Sequence, residues 1–178
     1  MSATHYTVPA VVLHWLVALL IFVAFPLGLV MHELPLSPTK LRLYSWHKWT
    51  GVTVLALALL RALWRATHTP PAPLALADWE RRLSALTHAA LYTLIIVVPL
   101  TGWLMSSAKG FQTVWFGVLP LPDLVAKNRE LGEALAEAHK ILNFVMAGLV
   151  FLHVAGALKH QFVDRQPLLR RMGFGARP

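Results

Sequence analysis

Four histidines near the ends of apolar stretches have the clearest chemical potential in this sequence. They are His14, His47, His139 and His153. The last two lie 14 residues apart on one hydrophobic stretch. Because an α-helix rises ~1.5 Å per residue, their positions would be roughly 21 Å apart along the axis and nearly on one face. One helix could therefore offer an imidazole near each surface of a bilayer whose apolar core is ~30 Å thick.

The other two histidines complete two pairs at matched depth. His14 opens the first apolar stretch and would lie level with His153, whereas His47 opens the second stretch and would lie level with His139. Neutral imidazole is a common metal ligand, and its second nitrogen usually donates to an acceptor that fixes the ring. The pattern indicates two bis-histidine haems, one in each leaflet. Iron with histidine on both axial sides has no open position and would serve as an electron relay.

Each histidine taken alone has a simpler interpretation, a hydrogen bond to a neighbouring helix. A histidine-lined metal transporter and a purely structural bundle are therefore the remaining possibilities for the whole chain. His88 and His160 fall at the depth of His14 and His153, but neither haem needs them. They could provide hydrogen bonds and a proton to a quinone, or they could be ordinary polar residues at the membrane interface.

The stretches that must position these histidines are long enough to cross a membrane. Only 13% of the 178 residues are charged and 57% are hydrophobic, whereas a soluble domain carries ~25% charged residues. The apolar runs predict transmembrane helices at about residues 8–31, 44–64, 83–108 and 137–162, each close to the ~20 residues that a bilayer requires. The predicted fold class is all-α: residues 1–178 form a single domain, an integral membrane bundle of four transmembrane helices in contact with lipid.

The distribution of lysine and arginine predicts the orientation of the bundle. Nine of these residues flank the helix ends on the side of the two termini, and seven flank the other side. Since positive charge accumulates on the cytoplasmic side, both termini are expected in the cytoplasm. The same distribution accounts for much of the net charge of +8, so nucleic acid is not an expected partner. Arg61, Arg65 and Lys48 could pair with haem propionates or reach the lipid headgroups.

The sequence contains no cysteine. Disulfides, thiolate metal sites, iron–sulfur clusters and the C-x-x-C-H attachment of a c-type haem are therefore excluded. Any haem in this protein must be held without covalent links, as haem b.

Several motifs resemble those of the bacterial cytochrome b561 family. They are H-W-L-V-A-L-L-I from residue 14, W-H-K-W-T-G from residue 46, P-L-T-G-W-L-M from residue 99 and L-H-V-A-G-A-L-K-H-Q-F from residue 152, and the likeness covers residues 14–172. The resemblance implies a multi-pass protein of the bacterial inner membrane with two haem b groups. It further implies that His14 and His153 bind the cytoplasmic haem and that His47 and His139 bind the periplasmic one, the pairing that depth alone suggests.

A more specific likeness is to the members of this family that act as superoxide oxidases. It rests on the exit of the third helix, where Lys109 and Gly110 precede Trp115, Phe116 and Gly117, and on the tail from residue 159. The likeness implies electron transfer from periplasmic superoxide to ubiquinone, with Lys109 attracting the superoxide anion. The alternative is a haem b membrane subunit that relays electrons between a dehydrogenase or hydrogenase partner and the quinone pool, because such subunits share the haem motifs.

Overall fold

The computed structural model of the chain describes residues 5–72 and 76–173, and most of these residues are helical. Arg177, one of the nine basic residues counted on the side of the termini, lies outside the described part. Within that part, four helices are long and apolar enough to cross a membrane. This confirms the predicted all-α fold class.

The elements follow one another in a simple order. The long helices are α1 (Val8–Glu33), α2 (Pro38–Thr67), α3 (Asp78–Ala108) and α4 (Arg129–Leu158). A two-stranded antiparallel hairpin, β1 (Val114–Trp115) and β2 (Leu119–Pro120), lies between α3 and α4. Beyond α4 the chain makes a π-helical turn, Lys159–Val163, and the short helix α5, Leu168–Arg171.

Three helices begin earlier than their apolar runs. Before α2 and α4, the side chains of Ser37 and Asn128 each accept a hydrogen bond from the backbone N–H three residues further on, at 3.2 and 3.0 Å. Pro38 also suits the first turn of α2, where its missing N–H has no helical partner. The polar residues before these two apolar runs therefore form the capped first turns of the helices, and hydropathy alone does not predict them as helical.

The core of the bundle receives side chains from all four long helices. Sequential helices are neighbours, and the buried cluster comprises Val17, Ala58, Leu94, Ile95, Val98 and Met146. Large apolar side chains such as Leu19, Phe22 and Phe151 point outward and are exposed by more than half. An outer surface of this kind is suited to lipid, because lipid tails are as apolar as these side chains.

The bundle has two ends, which we name after the histidine nearest each. At the His14 end, the indole of Trp64 in α2 donates to Thr7 Oγ1 beside the start of α1, at 2.8 Å. At the His47 end, the ammonium of Lys48 donates to the Phe111 carbonyl at 3.0 Å, which joins α2 to the segment after α3. The His14 end therefore holds the start of α1 and the end of α4, and the His47 end holds the hairpin.

Candidate functional site

The two predicted histidine pairs face each other across the bundle. The ring centroids of His47 and His139 are 6.3 Å apart, and those of His14 and His153 are 6.2 Å apart. Two metal–imidazole bonds of about 2.0–2.1 Å, with about 1.1 Å from each nitrogen to its ring centre, would separate two axial rings by about 6.3 Å. Both pairs thus have the separation that one metal ion between two imidazoles requires. The residues fit bis-histidine ligation of a haem iron.

Backbone carbonyls fix both rings at the His47 end. The Nδ1 of His47 donates to the Ala24 carbonyl oxygen at 3.1 Å, and the Nδ1 of His139 donates to the Val98 carbonyl oxygen at 3.0 Å. Because a carbonyl can only accept, each Nδ1 carries the proton and each Nε2 is left free to bind a metal. Thr101 Oγ1 also lies 3.1 Å from His139 Nδ1, where it can accept a second, bifurcated hydrogen bond from the same N–H group.

A small cavity of about 40 Å³ lies between His47 and His139, and its lining comes from all four long helices, including Ile21, Val54 and Ile95. Almost all of the lining is apolar, with Asn143 as a polar exception beside the two histidines. The apolar character of this lining suits a flat, largely apolar macrocycle.

The His14 end is built differently. A third imidazole, that of His88, has its centroid 5.0 Å from that of His153. This distance is too short for the two rings to bind one iron from opposite sides, so His88 is not an alternative to His14 as the partner of His153. The Nδ1 of His88 donates to the Ser84 carbonyl at 2.6 Å. The positive charge of Arg61 lies close enough to interact with His14 and His153.

No hydrogen bond to a ring nitrogen of His14 or His153 is present within residues 5–72 and 76–173. The two ends therefore share the separation of their imidazoles but not the way in which the rings are held. At the His47 end two carbonyls hold them, whereas at the His14 end a cation and a further imidazole lie nearby.

His160 belongs to an ion-pair network at the His14 end. Its Nδ1 donates to Asp164 Oδ2 at 2.6 Å, and the Lys159 ammonium donates to the same oxygen at 2.8 Å and to Glu80 Oε1 at 2.7 Å. These hydrogen bonds, first from Lys159 and then from His160, hold the pKa of Asp164 below its usual value. Because His88 lies eight residues after Glu80 in α3, about 12 Å along the axis, the structure does not place His88 and His160 side by side.

A basic cavity lies at the His47 end, where α3 ends and α4 begins. It has a volume of about 320 Å³ and is lined by Ala108, Lys109, Phe111, Lys127, Arg129 and Glu133. The stem of Lys109 packs against Gly132, and the stem of Lys127 packs against Gly110. The predicted Lys109 is thus joined by Lys127 and Arg129, two cations that the motif did not single out.

The three predicted propionate contacts have different surroundings. Arg61 Nε donates to the Tyr92 hydroxyl at 3.2 Å. The ammonium of Lys48 is bound to the Phe111 carbonyl, and Arg65 lies in the last turn of α2. Of the three, Arg61 is the one whose charge reaches a histidine pair.

The hairpin packs along α2 beside the His47 pair. The indole of Trp49 donates to the Val114 carbonyl at 2.6 Å, and the indole of Trp115 donates to Thr53 Oγ1 at 3.2 Å. Gly117, with a φ of 73°, adopts the left-handed conformation that the turn requires. The hairpin is therefore fixed to the helix that carries His47.

Comparison with known proteins gives one consistent family. The family described as prokaryotic cytochrome b561 matches residues 5–175. "Cytochrome b561 homolog 2" of Escherichia coli (strain K12) is 31% identical and covers 94% of this chain and 90% of its own. "Probable superoxide oxidase CybB" of Yersinia pestis is 27% identical over 90% of both chains. "Cytochrome b561 homolog 1" of Escherichia coli (strain K12) is 24% identical over 90% of this chain and 92% of its own.

Proposed function

The chain belongs to the prokaryotic cytochrome b561 family of bacterial membrane electron-transfer proteins, and on that premise we propose that it is a superoxide:ubiquinone oxidoreductase. Two superoxide ions would each give up one electron and leave as O₂. Ubiquinone would take the two electrons and two protons and become ubiquinol. The observation that carries the proposal is the pair of imidazole separations, 6.3 and 6.2 Å, at two depths of one bundle.

Two non-covalent haem b groups are part of this proposal. His47 with His139 would hold one, and His14 with His153 would hold the other. Bound haem b supplies a one-electron carrier, and histidine on both axial sides leaves no open position for oxygen. Of the three basic residues considered for the propionates, Arg61 is best placed, because its charge is the one that acts on a histidine pair.

Superoxide would approach the His47 end, which we place on the periplasmic side of the inner membrane. This orientation follows from the lysine and arginine counts, which put both termini in the cytoplasm. Lys109, Lys127 and Arg129 surround a cavity whose acidic lining residue, Glu133, is engaged by Arg129 at 3.0 Å. A cationic recess of this kind raises the local concentration of a small anion. The superoxide oxidase name of a relative at 27% identity supports the choice of substrate.

Ubiquinone would be reduced at the His14 end. With Nδ1 of His88 donating to the Ser84 carbonyl, its Nε2 is left as an acceptor for a hydroxyl group of the ubiquinol product. His160 and Asp164 form a hydrogen-bonded pair at the surface of the same end. We assign to them the delivery of protons from the cytoplasm, since quinone reduction needs two.

A second candidate is supported by the surface of the hairpin. Phe111, Phe116, Val118 and Leu119 are each more than half exposed beside the basic cavity. Such an apolar surface at the His47 end could dock a dehydrogenase or hydrogenase partner. In that case the protein would relay electrons between the partner and the quinone pool.

Stopped-flow spectroscopy of the purified protein tests the two candidates against each other. Superoxide should reduce the protein to a b-type spectrum, and in the presence of ubiquinone it should yield one ubiquinol for every two superoxide ions. Superoxide dismutase, added as a control, should abolish both effects. A protein that dithionite reduces but superoxide does not would support the partner relay, and a protein without a b-type spectrum would contradict both.

A further inference from the structure

Two helical glycines stand directly against the histidines of the His47 end. A Cβ atom placed on Gly28 of α1 would lie 3.1 Å from His47 Cε1, and one placed on Gly102 of α3 would lie 3.0 Å from His139 Cε1. Carbon atoms in favourable contact are about 3.5–4.0 Å apart. Beside alanine, each imidazole would have to move away by a few tenths of an ångström.

Each glycine lies four residues after the carbonyl that its histidine uses. His47 donates to Ala24, four residues before Gly28, and His139 donates to Val98, four residues before Gly102. Residues four apart share one face of a helix. The glycine and the accepting carbonyl therefore lie on the same face of the helix. The imidazole ring of the neighbouring helix occupies the space that a side chain at the glycine position would fill.

A helical carbonyl has two lone pairs, and the backbone N–H four residues further on uses one; at Val98 the Thr101 hydroxyl also donates to the carbonyl oxygen, at 2.8 Å. The second lone pair is usually screened by the side chains on that face. Where glycine replaces one of them, an imidazole from a neighbouring helix can come close enough to donate. The same arrangement occurs on α1 and on α3, and in both helices a proline lies between the accepting carbonyl and the glycine.

We propose that Gly28 and Gly102 are positioning residues for the His47-end haem, and this inference rests on the haem binding proposed above. Each glycine lets an axial imidazole donate from Nδ1 to a backbone carbonyl, which aims Nε2 at the iron. The hydrogen bond also raises the basicity of the ligand. Among the helical glycines of the described residues, none lies against His14 or His153. The glycine positions therefore act on only one of the two proposed haems.

Gly28→Ala and Gly102→Ala test the inference, with Gly148→Ala as the matched control. Gly148 is an exposed glycine of α4, and a Cβ atom there would meet nothing within 4 Å. Haem per chain is measured by pyridine haemochrome. The state of each haem is followed by redox titration and by the EPR of the oxidised protein, which responds to the angle between the two imidazole planes.

The two test variants should fall from two haems per chain toward one, and the haem that remains should keep the spectrum and potential of the His14-end haem. Any His47-end haem that is retained should show a changed EPR signal and a raised potential. Gly148→Ala should keep two unchanged haems. Because alanine favours a helix over glycine, a purely structural role of Gly28 and Gly102 predicts equal or better folding and no loss of haem.

The inference would be overturned by test variants that keep two haems with unchanged EPR and potentials, or that lose both haems to the same extent. These outcomes differ from failure of the proposed function itself. That failure would appear in the unmodified protein, as a chain that binds no haem b or only one.

Discussion

Reversing the charge of Lys109 should slow the reduction of the protein by superoxide. Lys109 lies at the end of α3, and it lines the basic cavity with Lys127, Arg129 and Glu133. The four side chains together carry three positive charges and one negative charge, a net charge of +2. Lys109→Glu brings this net charge to zero and removes the local attraction for an anion.

The size of the effect follows from Coulomb's law. At a separation of about 8 Å in water, one unit charge changes the energy of the approaching anion by about 0.5 kcal/mol. The reversal changes the charge by two units and therefore raises this energy by about 1 kcal/mol, a roughly fivefold lower rate. Lys109→Gln removes only one unit, so its rate should fall about twofold. Its long stem can still pack against Gly132 as the lysine stem does.

The assay is the second-order rate of haem reduction by superoxide at several ionic strengths. The Debye length shrinks from ~10 Å at 0.1 M salt to ~3 Å at 1 M, so the difference between the unmodified protein and Lys109→Glu should disappear at high salt. Arg170→Glu, the same reversal in α5 at the His14 end, is the matched control and should leave the rate unchanged. Equal rates for the Lys109 and Arg170 variants at low salt would refute the steering argument.

Three further predictions concern the histidines and the ion pairs. His47→Ala should remove one haem per chain and His14→Ala the other, as pyridine haemochrome and redox titration would show; loss of the same haem in both variants would contradict the pairing. His88→Gln and His160→Gln should slow ubiquinone reduction without altering the haem spectrum, and unchanged quinone kinetics in both would move the quinone site elsewhere. Because the folded-state pKa of Asp164 lies below its usual 3.8, its ion pairs should stabilise the fold above that pH, and this stability should be lost as the pH falls through the folded-state pKa. Thermal unfolding measured against pH should therefore show a more stable unmodified protein than Asp164→Asn at neutral pH. The difference in stability should vanish in acid, and a difference that stays constant with pH would contradict a stabilising role of the Asp164 ion pairs.

The sequence predicts those features that depend on distance along the chain. The number of helices follows from the long apolar runs, and the depth of each histidine follows from its place in its run. The pairing of His47 with His139 needed only depth, and the 6.3 Å separation agrees with it. Hydropathy predicts later starts for α2, α3 and α4 than the structure shows, because the polar first turns of these helices carry no hydropathy signal.

Features that depend on rotation about a helix axis were not predictable in the same way. Gly28 and Gly102 matter because α1 and α3 turn these positions toward His47 and His139, and no spacing in the sequence reports that rotation. A weak signal exists, since each glycine follows a proline, Pro26 or Pro99, within three residues in an otherwise apolar helix. The position of His88 beside His153 likewise depends on how α3 and α4 face each other.

The difference between the two ends gives the proposed electron transfer a direction. At the His47 end, both of the proposed haem ligands donate to carbonyls, and more basic ligands favour oxidised iron. At the His14 end, the charge of Arg61 lies near both ligands, and a nearby positive charge favours the reduced state, which carries one electron more. Both effects place the lower potential at the His47 end. Electrons that enter beside the basic cavity would therefore move downhill toward His14 and His153, the end at which His88 and His160 are available to a quinone.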